Sequence, residues 1–120
     1  MKTLVLGASP NPQRYSYKAI TMLRHYNHEV VAIGKQEGMV ADVTIIHKPI
    51  EIPQLHTVAI YLSPKNQKEY YDYVFSLSPV RVIFNPGTEN DEWRALLNQT
   101  GIQVIYGCVL VLLSTHQYES

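Results

Sequence analysis

The residues best suited to chemistry in this 120-residue chain gather near its start. The stretch GASPNPQRYSY, residues 7–17, carries Gly7 for a tight turn and Ser9, whose hydroxyl can donate to a phosphate oxygen. It also carries Arg14, whose planar fork matches phosphate oxygens in pairs. The stretch follows an apolar run and precedes a helical pattern. At such a junction, exposed backbone N–H groups and the helix dipole favour an anion. A dinucleotide fingerprint, G-x-G-x-x-G, is excluded, because Ser9 and Pro12 stand where its second and third glycines belong.

A second cation enters from further along. A domain that binds NAD usually ends its second strand on an acidic residue that holds the ribose hydroxyls. Here Ile33 leads into Gly34 and Lys35, with Glu37 two residues on as an acidic alternative. A lysine at that place suits a nucleotide with an extra ribose phosphate, as coenzyme A and NADP both have. Asn85, Pro86 and Gly87 form a turn directly after an apolar strand, where an adenine or a pantetheine arm could lie. Cys108, the single cysteine, falls just past the last strand. It reads either as a small buried hydrophobe or as a thiol facing the ligand.

Other chemistries find no footing. The five histidines show neither H-x-x-x-H spacing nor a cysteine pair, so no metal site is expected. Neither a G-x-S-x-G elbow nor a P-loop lysine occurs, and no nucleophile, base and orienting group can be assigned to one place. Binding, not catalysis, is the expectation.

The elements that must position these residues alternate along the chain. Apolar β-type runs cover 3–6, 29–33, 57–62, 80–84 and 102–106, with a weak one at 43–46. Between them lie helical patterns. Ser16 is the expected cap of the first, with Ile20, Leu23 and Tyr26 inward and Asn27 as its left-handed terminator. Ser63 and Pro64 open the second, which carries Tyr70, Tyr71, Val74 and Phe75 and stops before Pro79. Thr88 or Asn90 caps the third, with Trp93, Leu96 and Leu97 inward and Gly101 closing it. Residues 108–113 fit a strand or a helix equally. This order predicts one α/β domain over 1–120: three layers, Rossmann-like, with a parallel sheet of five or six strands. In such sheets ligands sit beyond the carboxyl ends of the strands, which are the loops at 7–17, 34–38, 63–65, 85–88 and 107–108.

Composition sets the outer bounds. Ten lysines and arginines offset ten aspartates and glutamates, leaving no overall field to draw nucleic acid or anionic lipid. One cysteine allows no internal disulfide, which suits a cytoplasmic protein. The most apolar tract, 104–113, is half the length that a membrane-spanning helix needs. Tyr70, Tyr71 and Tyr73 cannot all face one core from a single regular helix, so some are expected at an interface or a half-wet surface.

Taken in order, GASPNPQRYSYKA, VVAIGK, VIFNPG and a cysteine past the last strand resemble the small stand-alone CoA-binding domain proteins, themselves similar to the nucleotide-binding domain of the succinyl-CoA synthetase alpha subunit. The resemblance implies that Gly7, Ala8, Ser9, Arg14 and Tyr17 embrace the CoA phosphates and that Lys35 meets the nucleotide end. It implies too that Pro64, Asn85, Pro86 and Gly87 line the rest of the cleft. The family often reads asparagine-proline-lysine after the second strand, of which only Lys35 is kept, and often has an arginine before the proline where Ser63 stands. The synthetases' catalytic histidine belongs to a second domain that this chain is too short to contain. Two other readings compete: an NADP-dependent oxidoreductase or redox sensor, and a subunit that only associates, as a homodimer or with a larger enzyme, through the tyrosine-bearing helix and the apolar 109–113.

Overall fold

The computed structural model describes residues 1–119; Ser120, the last residue of the expected domain, lies outside them. Seven strands form one sheet: β1 (Thr3–Leu6), β2 (Val30–Ile33), β3 (Gly38–Val40), β4 (Val43–Ile46), β5 (Thr57–Ile60), β6 (Arg81–Phe84) and β7 (Gln103–Tyr106), in the order β3-β4-β2-β1-β5-β6-β7. Every pairing is parallel except β3 with β4. Without the antiparallel β3, the order is the Rossmann one, with the chain reversing direction of travel between β1 and β5.

Five helices cover the sheet: α1 (Tyr15–His25), α2 (Pro64–Gln67), α3 (Tyr71–Leu77), α4 (Asp91–Gln99) and α5 (Val109–Ser114). Strand alternation divides the core in two. Val5, Ala32, Ile45, Ala59 and Ile83 pack with Ala19, Ile20 and Leu23 of α1 and with Val109 and Leu113 of α5. On the other face Leu4, Leu6, Ile33, Val58, Ile60, Val82 and Phe84 pack with Val74 of α3 and Trp93 and Leu97 of α4. Strands β1, β5 and β6 are buried along their whole length, which is why they read as continuous apolar runs.

The expected three-layer architecture holds, with one strand more than expected. The extra strand, β3, escaped because its hairpin turn uses Ala41 at φ 54° instead of a glycine or asparagine. The turn is fixed from outside. Arg24 of α1 grips Asp42 with Nε and Nη2 at 2.8 and 2.9 Å.

Three expectations about helices are corrected. Arg14, not Ser16, precedes α1; Ser16 lies inside the helix, buried, where its Oγ accepts from the Ser9 amide at 3.2 Å. The second helix is three pieces, α2, a 3-10 turn over Lys68–Tyr70 and α3. The break centres on Gln67, whose buried side chain donates to the Leu62 and Thr88 carbonyls and accepts from Asn90 Nδ2. The changed winding half-buries Tyr70, Tyr71 and Tyr73 together. Tyr71 stacks on Trp93, and the Tyr73 hydroxyl donates to the Ile50 carbonyl at 2.6 Å, so these rings fit the half-wet surface, one of the two expectations for them. Leu96 points outward at 37% exposure. Asn90 is the cap of α4, its Oδ1 accepting from the Trp93 amide at 3.0 Å, and residues 109–114 are helical.

Candidate functional site

A cleft of about 800 Å³ opens along the carboxyl ends of β2, β1, β5 and β6, centred on the point where the strand order reverses. Two glycines let its central loops come together. Gly7 has φ +94°, and a Cβ there would lie 2.9 Å from the Tyr61 backbone. Gly34 has an ordinary φ but no room: a Cβ would meet the Ala8 carbonyl oxygen at 2.0 Å. The amides of Gly7 and Ala8 both donate to the Ile33 carbonyl at 2.9 Å, clamping the loop after β1 onto the crest of β2.

The clamp uses up donors that the sequence had left free. The Ser9 amide is taken by Ser16 Oγ, Asn11 by Ser9 Oγ, Gln13 by Asn11 Oδ1 and Arg14 by the Asn11 carbonyl, while Pro10 and Pro12 have none. The backbone amides of Gly7, Ala8, Ser9, Asn11, Gln13 and Arg14 are therefore all occupied. Among the described residues, the amides of Tyr15, Ser16 and Tyr17, in the first turn of the 11-residue α1, have no protein acceptor. The Ser9 hydroxyl accepts from Asn11 and keeps its own proton for a further bond.

Of the expected residues, Gly7, Ala8, Ser9, Arg14, Lys35, Asn85 and Pro86 line the cleft. Tyr17, Pro64 and Gly87 do not. The Tyr17 ring packs against the α1 face of the core, Pro64 is exposed as the first residue of α2, and Gly87 is exposed with its amide bonded to Glu89. Arg14 and Lys35 are exposed, and among the described residues neither has a carboxylate within ion-pair distance. Glu37, the acidic alternative, turns instead to His47 at 3.7 Å.

Asn85 has a different task from the one expected. Its side chain is buried, with Nδ2 donating to the Ile60 carbonyl at 3.0 Å and Oδ1 accepting from the Val109 amide at 2.9 Å. It ties β5 and the start of α5 to the crest of β6 and so sets the cleft's far wall, leaving little of itself for a ligand.

Sequence reasoning missed part of that wall. Tyr61, Leu62, Tyr70 and Leu110 also line the cleft, as does Cys108. Tyr61 and Leu62 were hidden because the apolar run seemed to continue the strand to Leu62, whereas β5 stops at Ile60. Stopping the strand where its neighbours stop would have exposed both as crest residues. The Tyr61 hydroxyl is buried without a hydrogen-bond partner among the described residues. Burial, with a smaller contribution from Cys108, pushes its phenol far above the usual range and keeps it protonated. Among the described residues no histidine, aspartate or glutamate lines the cleft.

Comparison with known proteins gives this geometry a family. A model described as the CoA binding domain matches residues 1–114, from β1 through α5. The chain belongs to the CoA-binding domain family. Its likeness extends to solved structures. An uncharacterized protein of known crystal structure is 44% identical, with a TM-score of 0.95 over 98% of this chain and 97% of that one. A Thermus thermophilus protein is 18% identical, with a TM-score of 0.85 over 98% and 90%. A conserved hypothetical protein from Pyrococcus furiosus is 22% identical, with a TM-score of 0.79 over 92% and 97%. The last two share the fold. No curated protein matches the sequence. Within this CoA-binding domain the family's ligand is nucleotide-like, and no helix among the described residues is long and apolar enough to cross a membrane.

Proposed function

We propose that this protein binds coenzyme A without acting chemically on it. The phosphates are held at the first turn of α1 by the amides of Tyr15, Ser16 and Tyr17, by the Ser9 hydroxyl and by the Arg14 guanidinium. Lys35 meets the ribose phosphate from the β2 side. One observation carries the reading: the free helix-terminal amides of Tyr15 and Ser16 and the two unpaired cations belong to residues that line one cleft, which among the described residues holds no carboxylate, in a chain of the CoA-binding family. A polyanion is the ligand that such a lining suits.

Gly7, Ala8 and Gly34 act through backbone approach, and Pro86 supplies apolar surface. Asn85 positions the wall. Tyr17 contributes its amide rather than its ring, while Pro64 and Gly87 stand outside. A binding role is supported by a lining that, among the described residues, includes neither an imidazole nor a carboxylate.

Calorimetric titration with CoA and with dephospho-CoA tests this reading. A charge-assisted hydrogen bond to Lys35 predicts about tenfold weaker binding of the dephosphorylated form. Equal affinities would remove the role of Lys35, and no heat with either would remove the ligand.

A further inference from the structure

The two ends of the cleft differ in chemistry. Arg14, Lys35 and the free amides lie over β1 and β2; toward β6 and β7 no charged side chain lines the cleft. Both walls there carry apolar side chains, alongside the uncharged polar Asn66, Asn85 and Thr88. Leu62 and Tyr70 belong to the core under α3 and α4, Leu110 to the core under α1 and α5, and all three are only partly buried. A slot is left between the two cores, with Pro86 and Cys108 along it.

We propose that this slot receives the acyl group of a CoA thioester, so that the protein selects short acyl-CoA over free CoA. The inference rests on the CoA reading above and gives its ligand a class. Charge fixes the direction of binding, because the phosphates must lie at the cationic end and the sulfur must then travel toward β6 and β7.

Reach agrees with that direction. From β1 to β6, whose crest holds the start of α5 through Asn85, is two strand steps, about 10 Å at the usual spacing. The pantetheine arm runs through roughly 13 bonds from pyrophosphate to sulfur. At about 1.2 Å of advance per bond, as in an extended peptide, it spans up to about 16 Å, enough to reach that crest without being fully stretched. Whatever the sulfur carries therefore arrives between Leu62, Tyr70 and Leu110. A bare thiol leaves their apolar surface wet, whereas an acyl chain covers it, and each methylene fully buried strengthens binding about fourfold.

Titrating the protein with CoA, acetyl-CoA and butyryl-CoA reads the effect as a ratio of affinities. The expected series rises from CoA to acetyl-CoA to butyryl-CoA, by about two- to fourfold for each methylene added. In Leu110→Asn the ratio of butyryl-CoA to CoA falls toward one, with Leu62→Asn as a second variant from the opposite wall and circular dichroism showing that each is folded. Equal binding of CoA and butyryl-CoA by the wild-type protein would overturn the acyl slot while leaving the CoA reading intact. So would a ratio unchanged in both variants. Failure of all three ligands to bind would overturn the CoA reading itself.

Discussion

Replacing Gly34 with alanine tests the close approach on which the cleft depends. Gly34 does not have a left-handed φ, so an alanine there carries no conformational penalty of its own; the cost is contact alone. The new Cβ would sit 2.0 Å from the Ala8 carbonyl oxygen and 3.0 Å from its carbon. Relief needs a displacement of about 1.4 Å to reach an ordinary carbon–oxygen contact. The obstacle is backbone, and the Ala8 and Gly34 amides are themselves bonded, to the Ile33 and Ile46 carbonyls at 2.9 and 3.0 Å. The loop after β1 must lift, stretching the two bonds that Gly7 and Ala8 make to Ile33. Overpacking of this kind costs about 3 kcal/mol, which lowers the melting temperature of a domain this size by about 10 °C. Gly87→Ala supplies the control. That glycine has φ +90° but open space around its would-be Cβ, so only backbone strain of about 1–2 kcal/mol applies. Thermal unfolding followed by circular dichroism compares the two, with CoA titration of the folded protein alongside. If Gly34→Ala melts within 2 °C of wild type (a difference of roughly 0.5 kcal/mol), or later than Gly87→Ala, the steric reasoning fails.

Three further outcomes are expected. Asn85→Ala strands the Ile60 carbonyl and the Val109 amide in the interior, so unfolding in urea should show a loss of about 3 kcal/mol. Arg14→Ala and Lys35→Ala should each weaken CoA binding about five- to tenfold, with melting unchanged because both residues are exposed and unpaired, and the wild-type affinity should fall as salt rises. Burial holds His28 and His56 below the ordinary histidine range, helped for His56 by the Arg81 charge. The unfolded chain then takes up protons that the native state resists, so stability should be level above pH 7.5 and decline as pH falls through about 6.5. Urea midpoints that hold steady or rise between pH 7.5 and 5.5 would contradict this.

How much the sequence disclosed follows from what each residue is used for. Strands buried on both faces appear as unbroken apolar runs, so β1 was legible to the residue and β5 and β6 within one or two; β4, with Thr44 exposed, matched its bounds as a weak strand. Hairpin β3–β4 was invisible at its turn, since Ala41 carries a left-handed backbone that alanine rarely signals. Arg14 and Lys35 were legible because a crest loop has no packing reason to hold a cation. Asn85 was legible as unusual but not in its role, because one buried side chain can look outward or inward with the same neighbours in sequence. The occupied Ser9 amide could not have been foreseen, as it depends on Ser16 Oγ turning back from within α1. The half-buried tyrosines needed the 3-10 turn at 68–70, which arises from a long-range bond between Gln67 and Thr88.

The reversal of strand order between β1 and β5 has a mechanical consequence. Everything before the exposed stretch at 47–51 builds one side of the sheet, and everything after it builds the other. The sides meet along one ladder of four residue pairs, Thr3 with Thr57 to Leu6 with Ile60, and where α1 leans on α5. A chain severed within 47–51 is thus two interlocking fragments, and a coenzyme lying across the open end of their shared seam would act as the peg that keeps them joined.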